Sequence, residues 1–140
     1  MSESKITFFE DLLLKEGDNA LLNAKYLSIT VDEVLTAYEN LNLSPPVMIL
    51  KNTWSNGGWG NGYVRIAEGH SFYDKGYDDI DVSVHGGLTF SEHMKDNDRF
   101  SDGYWVGFDT VHYNDDLQKW PKDAVLAETK DLFRQVYRLK

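Results

Sequence analysis

The spacing of apolar residues along the chain changes twice, and each change marks a different kind of element. Between Thr30 and Leu41 the residues Val34, Leu35, Tyr38 and Leu41 recur at helical spacing and form one apolar stripe. Thr30-x-x-Glu33 has capping-box spacing, in which the two side chains satisfy backbone N–H groups left over at a helix start. The same spacing at Thr7-x-x-Glu10 accompanies FFEDLLLKEG. It predicts a short first helix with Phe8, Leu12 and neighbouring leucines toward a core, and with Gly17 as its stop. Pro45 and Pro46 end the second helix, because proline cannot continue the hydrogen-bond ladder and biases the preceding Ser44 to an extended conformation.

After the prolines the period shortens. The runs VMILKNT (47–53), YVRIA (63–67), IDVSVH (80–85) and YWVGFD (104–109) are β-branched or aromatic and are separated by Gly, Asn and Asp, as strands are. In the third run Ile80, Val82 and Val84 alternate with Asp81, Ser83 and His85, the pattern of a strand with one face on a core. His85 is therefore expected on a polar face. The second change comes at Pro121, a residue suited to a first helical turn. Beyond it Val125, Leu132, Phe133, Val136 and Tyr137 fall on one side, with Lys130, Arg134, Arg138 and Lys140 toward the C-terminal end, where cations complement the helix dipole.

These elements predict an α+β fold in a single domain, 1–140. A helical N-terminal part (1–44) with two helices precedes a β-rich core (46–116) of about four antiparallel strands, and a C-terminal amphipathic helix (121–140) packs on the sheet. A chain of 140 residues buries roughly two thirds of the surface its unfolded form exposes, so the core needs no staples. The absence of cysteine removes disulfides, thiolate metal sites and a Cys nucleophile. The N-terminus MSESKITFFEDLLLKEGD lacks a basic start and an unbroken apolar run. No segment reaches the roughly 18 apolar residues of a membrane span, so a soluble, cytoplasmic protein is expected.

The net charge of −9 is not spread evenly. Residues 68–116 hold twelve Asp and Glu against Lys75, Lys95 and Arg99, a local −9, and the rest of the chain is neutral. Such a field repels phosphate backbones, so direct nucleic-acid binding is not expected. Acidic loops also keep a small domain soluble, which explains the charge without a ligand.

Three segments carry residues with chemical potential. WSNGGWGNGY (54–63) is either a turn-rich connection or a loop whose backbone approaches a ligand while Trp54 or Trp59 stacks on it. It fits neither a Walker loop nor G-x-G-x-x-G. EGHSFYDKGYDDIDV (68–82) gathers His70, Tyr77, Asp78 and Asp79, but Ile80 and the missing Gly and Glu offsets break an EF-hand. Its carboxylates fit turn caps and solvent, and Tyr77 fits a position over the sheet edge. YWVGFDTVHYNDD (104–116) places Asp109 at a strand end, with His112 and Asp115 at steps of three. If the strand ends meet, His85, Asp109 and His112 form a set suited to zinc or non-haem iron, or to acid–base work. The alternative is a hydrogen-bonded network closing the sheet. Metal and cofactor stay open, because the spacing is no H-E-x-x-H signature. Ser83 and Thr89 are only generic nucleophiles, no G-x-S-x-G elbow exists, and His93 is expected to be exposed.

Taken together, NGYVRIAEGHSFYDKGYDDIDVSVHGGLTFS and WVGFDTVHYND, roughly residues 61–116, with the C-terminal helix, resemble a family of small, largely uncharacterised bacteriophage and prophage proteins. Its members carry NGYV, GH, a Tyr-Asp-Asp stretch, HGGLT and a GFD-x-x-H strand. The N-terminal helices lie outside the resemblance, and the charged 92–103 loop departs from it. The resemblance falls on His70, Tyr77, Asp78, Asp79, His85, Gly86, Gly87, Thr89, Asp109 and His112. With Trp105 these make the candidate ligand-binding set, and no catalytic residue is assigned.

What the resemblance implies is an accessory protein made inside a bacterial host and acting by stoichiometric binding in counter-defence. It would sequester a small, nucleotide-like ligand or occlude a defence protein, at the place where the Gly/Trp loop, HGGLT and GFDTVH converge. The competing reading is a small, metal-assisted hydrolase using His85, Asp109 and His112. The lack of an assembled nucleophile favours the non-enzyme. Aromatics such as Trp120 and Tyr113 offer a surface for self-association.

Overall fold

A computed structural model describes residues 2–140 apart from Ser55, with side chains from Ser4 onward. The fold is α+β. Helix α1 (Ser2–Glu16) runs into a 3-10 turn, the single-turn α2 (Leu21–Ala24), a second 3-10 turn and α3 (Val31–Asn40). Strands β1 (Val47–Lys51), β2 (Gly60–Ile66), β3 (Phe90–Met94) and β4 (Gly103–Phe108) follow, and α4 (Lys122–Tyr137) ends the chain. The sheet is antiparallel throughout in the order β1-β2-β4-β3.

The central strands are the two runs richest in aromatic and β-branched residues, because only they are covered on both faces. Val64, Ile66, Tyr104, Val106 and Phe108 face the helices and join one core with Phe9, Leu13, Val34, Tyr38, Leu132 and Phe133. On the opposite face Tyr63 and Trp105 pack with Phe100 from the 95–102 loop. All five residues predicted for the apolar side of α4 are buried. Full burial of Val125, Leu132 and Phe133 stabilises the fold by about 1.5–3 kcal/mol each.

The Thr30 capping box forms as predicted, with both reciprocal bonds present, and Gly17 ends α1 at a φ of 60°. The first helix differs from expectation. It starts at Ser2, so Thr7 lies inside it and caps nothing. Phe8 is 55% exposed and Phe9 takes its core position, while Leu13 is buried and Leu12 packs against the core as expected.

The third strand also differs. Residues 80–85 lie outside the sheet, and the edge position next to β4 belongs to Phe90–Met94, within what reads as a charged loop. The alternation in 80–85 is nevertheless real: Ile80 is buried and Val82 and Val84 pack against the core, while Asp81 and Ser83 are exposed. Its hydrogen-bond partners are side chains of α4 rather than a neighbouring strand. Among the described residues no helix is long and apolar enough to cross a membrane.

Candidate functional site

The antiparallel pairing brings the end of β1, the start of β2, the start of β3 and the end of β4 to one end of the sheet. Three connections therefore meet there: 52–59, 84–89 and 109–120. Gly58 N–H donates to the Thr110 carbonyl at 2.7 Å and Trp59 N–H to the Trp120 carbonyl at 2.8 Å, which docks the Gly/Trp loop on the segment after β4. In the second connection Gly87 N–H closes a turn onto the Val84 carbonyl, with Gly86 and Gly87 both at positive φ.

At this junction His85 and His112 meet edge to face, their ring centroids 5.5 Å apart. Nε2 of His85 lies 2.9 and 3.0 Å from the two oxygens of Asp115, whose side chain is only 5% exposed. Asp115 also accepts the His112 backbone N–H at 2.9 Å. Burial alone would raise the Asp115 pKa, but these bonds and the neighbouring imidazoles outweigh it and hold the carboxyl below its ordinary range. The His85 backbone N–H donates to the Glu128 carboxylate at 2.7 Å, so α4 fixes the height of the HGG turn. The indole of Trp120 covers one face of His85 at 4.2 Å between centroids.

His112 has a carboxylate of its own. Its Nε2 is 3.0 Å from Asp109 Oδ1, outside hydrogen-bond geometry and with no other partner among the described residues. Asp109 accepts the Thr89 hydroxyl at 3.0 Å on Oδ2 and the Val111 N–H at 3.2 Å on Oδ1. Among the described residues no three His, Asp or Glu side chains could hold a metal ion. The reason is visible in the geometry: each Nε2 turns to its own carboxylate instead of to a shared point.

The sheet end thus gathers His85, Gly86, Gly87, Thr89, Asp109 and His112. Five other candidates lie elsewhere. His70 is half-buried beside α4, its Nε2 donating to the Val136 carbonyl at 2.7 Å and its Nδ1 accepting the Phe72 N–H at 2.9 Å. Tyr77, Asp78 and Asp79 form an exposed 3-10 turn whose Tyr77 N–H bonds Ser91 on the edge strand β3. Trp105 is 1% exposed and packs under the far face of the sheet, where no ligand reaches it. His93 is exposed as expected and bonds Asp74.

Two site residues, Glu128 and Trp120, are not legible as such from the sequence, and Trp120 is half-buried against His85 rather than exposed. Asp115 could be found from its step of three after His112, since a turn from Asp115 N–H to the His112 carbonyl closes that step. Compared with protein-family models, curated proteins and solved structures, the chain shows no significant match.

Proposed function

We propose that this chain is a phage-type accessory protein that acts by stoichiometric binding in counter-defence, and that the loop end of the sheet is its contact surface. The observation that carries the contact surface is the convergence of three connections around His85 and His112, with Trp54, Val111, Tyr113 and Leu117 left exposed in two of them. Exposed rings flanking a rigid polar centre suit a partner or a flat ligand. The phage setting, and with it the host cytoplasm, rests on the resemblance of the HGGLT and GFDTVH segments. Among the described residues no hydroxyl is bonded to either imidazole, and the Thr89 hydroxyl is committed to Asp109. That supports binding over nucleophilic catalysis. Native mass spectrometry of the protein recovered from bacteria tests the reading. A co-purifying small molecule or partner that is lost with Trp54→Ala and Tyr113→Ala is expected; a bare chain, or a partner indifferent to both changes, overturns it.

A second reading is favoured by the two imidazole–carboxylate pairs, which are the elements of acid–base hydrolysis. Turnover of a substrate that disappears in both His85→Ala and Asp115→Asn would favour it over simple binding.

A further inference from the structure

In an antiparallel edge strand every second residue turns its backbone groups away from the sheet, and in β1 the alternation can be followed bond by bond. Arg65 N–H donates to the Pro46 carbonyl at 2.9 Å and Asn52 N–H to the Trp59 carbonyl at 2.7 Å, both between directly opposed residues when the β1–β2 register is extended. The even-numbered residues of β1 therefore bond β2. Val47, Ile49 and Lys51 turn their N–H and C=O groups outward, and among the described residues nothing bonds them.

The two edges of the sheet differ. The β3 edge is the polar run FSEHM, and the 74–77 segment lies against it through the Ser91 and His93 side chains. The β1 edge is VMILK, with Met48, Ile49 and Leu50 half-buried and no charge before Lys51. An apolar edge with free backbone groups is a template for another strand.

The same strand in reverse fits that template. A two-fold axis at Ile49 sets Ile49 against its counterpart and Val47 against Lys51, so outward residues meet only outward residues and each opposed pair exchanges both bonds. A slip of two residues brings in Pro45, which has no N–H, or Thr53, beyond the end of the strand. Charge favours the same register. Directly opposed residues share a face, so Lys51 of the second copy stands beside Val47, at a groove lined by Leu35, Glu39, Leu43, Val47 and Leu126. Glu39 and Lys51 are exposed, and among the described residues neither side chain has a partner. The two-fold supplies one to each.

We propose that β1 pairs antiparallel with β1 of a second copy about an axis at Ile49, joining two four-stranded sheets into one, with Lys51 of each copy paired to Glu39 of the other. The paired strands run in opposite directions, so the two loop ends face away from each other and both stay open. The inference stands apart from the contact surface at the loop end.

Sedimentation equilibrium of the full chain at rising concentration, with amide exchange of β1 read by NMR alongside, tests it. The pairing is small, so a monomer–dimer equilibrium of modest affinity is expected. In the dimer the Val47, Ile49 and Lys51 amides become protected, while those of Met48 and Leu50, already bonded to β2, change little. Lys51→Pro removes an outward N–H and no bond within the sheet, and should weaken the dimer about tenfold or more. Lys51→Glu and Glu39→Lys should each weaken it about tenfold, and the two together should restore it to within about threefold. The amide readout needs no variant, so a variant that fails to fold leaves the test intact. A chain still monomeric at about 1 mM overturns the proposal, as does a dimer whose Val47, Ile49 and Lys51 amides exchange as in the monomer. Protection of those amides by a co-purifying peptide, without self-association, gives the edge to a foreign strand and also overturns it. A dimer indifferent to both charge reversals overturns the register.

Discussion

Gln135 bonds both backbone polar groups of Ser83: its Oε1 accepts the Ser83 N–H at 2.8 Å, and its Nε2 donates to the Ser83 carbonyl at 2.7 Å. A strand neighbour makes that pair of bonds in a sheet; here one side chain of α4 does so. The consequence is that 80–85 keeps an extended, alternating conformation outside the sheet and delivers His85 to the junction. Gln135→Ala should cost about 1–2 kcal/mol, two modest hydrogen bonds at a partly exposed position. Amide hydrogen exchange should quicken across 80–85 and leave β2 and β4 unchanged. Uniform acceleration over the whole chain would show that the segment is held by its apolar side chains alone.

Gly86 and Gly87 look alike in sequence and differ in surroundings. Both have positive φ, 69° and 76°, where a non-glycine residue costs about 1 kcal/mol or more. A Cβ on Gly86 would overlap His112 Nε2, whereas one on Gly87 meets nothing within 4 Å. Gly86→Ala should therefore cost about 1–3 kcal/mol more than Gly87→Ala and displace the His112 ring. Urea denaturation gives the first quantity and the His112 ring resonances the second. Equal losses would mean that the turn backbone, not contact with His112, fixes these positions.

The same contrast explains how far the sequence could be read. Thr30-x-x-Glu33 and the YVRI and YWVGF runs encode local rules, and the structure keeps them because tertiary packing agrees. Ile80–Val84 obeys the strand period, yet period alone does not say whether a strand or a helix side chain satisfies its backbone. FSEHM reads as polar because an edge strand with two half-exposed faces carries little apolar signal. His70 is a candidate through the resemblance, with Trp105 added to that set, and neither placement follows from a spacing rule. Alternation along β4 sets the face Trp105 occupies, and Phe100 of the 95–102 loop is what covers it there. Asp109 and His112 follow the end of β4, as their position after YWVGF implies, whereas His85 joins them from a segment outside the sheet that Gln135 and Glu128 of α4 hold in place. Glu128 is not legible in the sequence, since its link to His85 spans 43 residues and follows no spacing rule.

Arg65 is a charge enclosed by the fold. It is 8% exposed, pairs with Asp18 at 2.5 and 3.1 Å, and donates to Ser44 and Ser101. Burial alone would lower the guanidinium pKa; the bond and charge of Asp18 outweigh it and keep Arg65 charged. Removing one partner of such a pair leaves an uncompensated charge, which costs about 3–5 kcal/mol. Asp18→Ala should lose that much in denaturant unfolding. Arg65→Met, which retains the stem against Trp105, should lose less. The reverse order would show that the Trp105 contact, not the ion pair, holds this corner.

Acid should weaken the fold in two separate windows. His70 is held below its ordinary pKa chiefly by burial, which the bond to Val136 only partly opposes. The unfolded chain then takes up the proton first, so His70 favours the folded state above about pH 6.5, and that contribution declines as pH falls through this value toward the folded pKa. Protonation also removes the lone pair that accepts the Phe72 N–H. Asp115 behaves oppositely. Its folded pKa is depressed, so its contribution is complete above about pH 3.9 and is lost as pH falls further, through the folded value. Urea midpoints measured from pH 8 to pH 2 should show both declines. His70→Gln should flatten the first decline and leave the second; Asp115→Asn should remove the second alone. If His70→Gln leaves the higher-pH decline intact, the burial of His70 is not its cause.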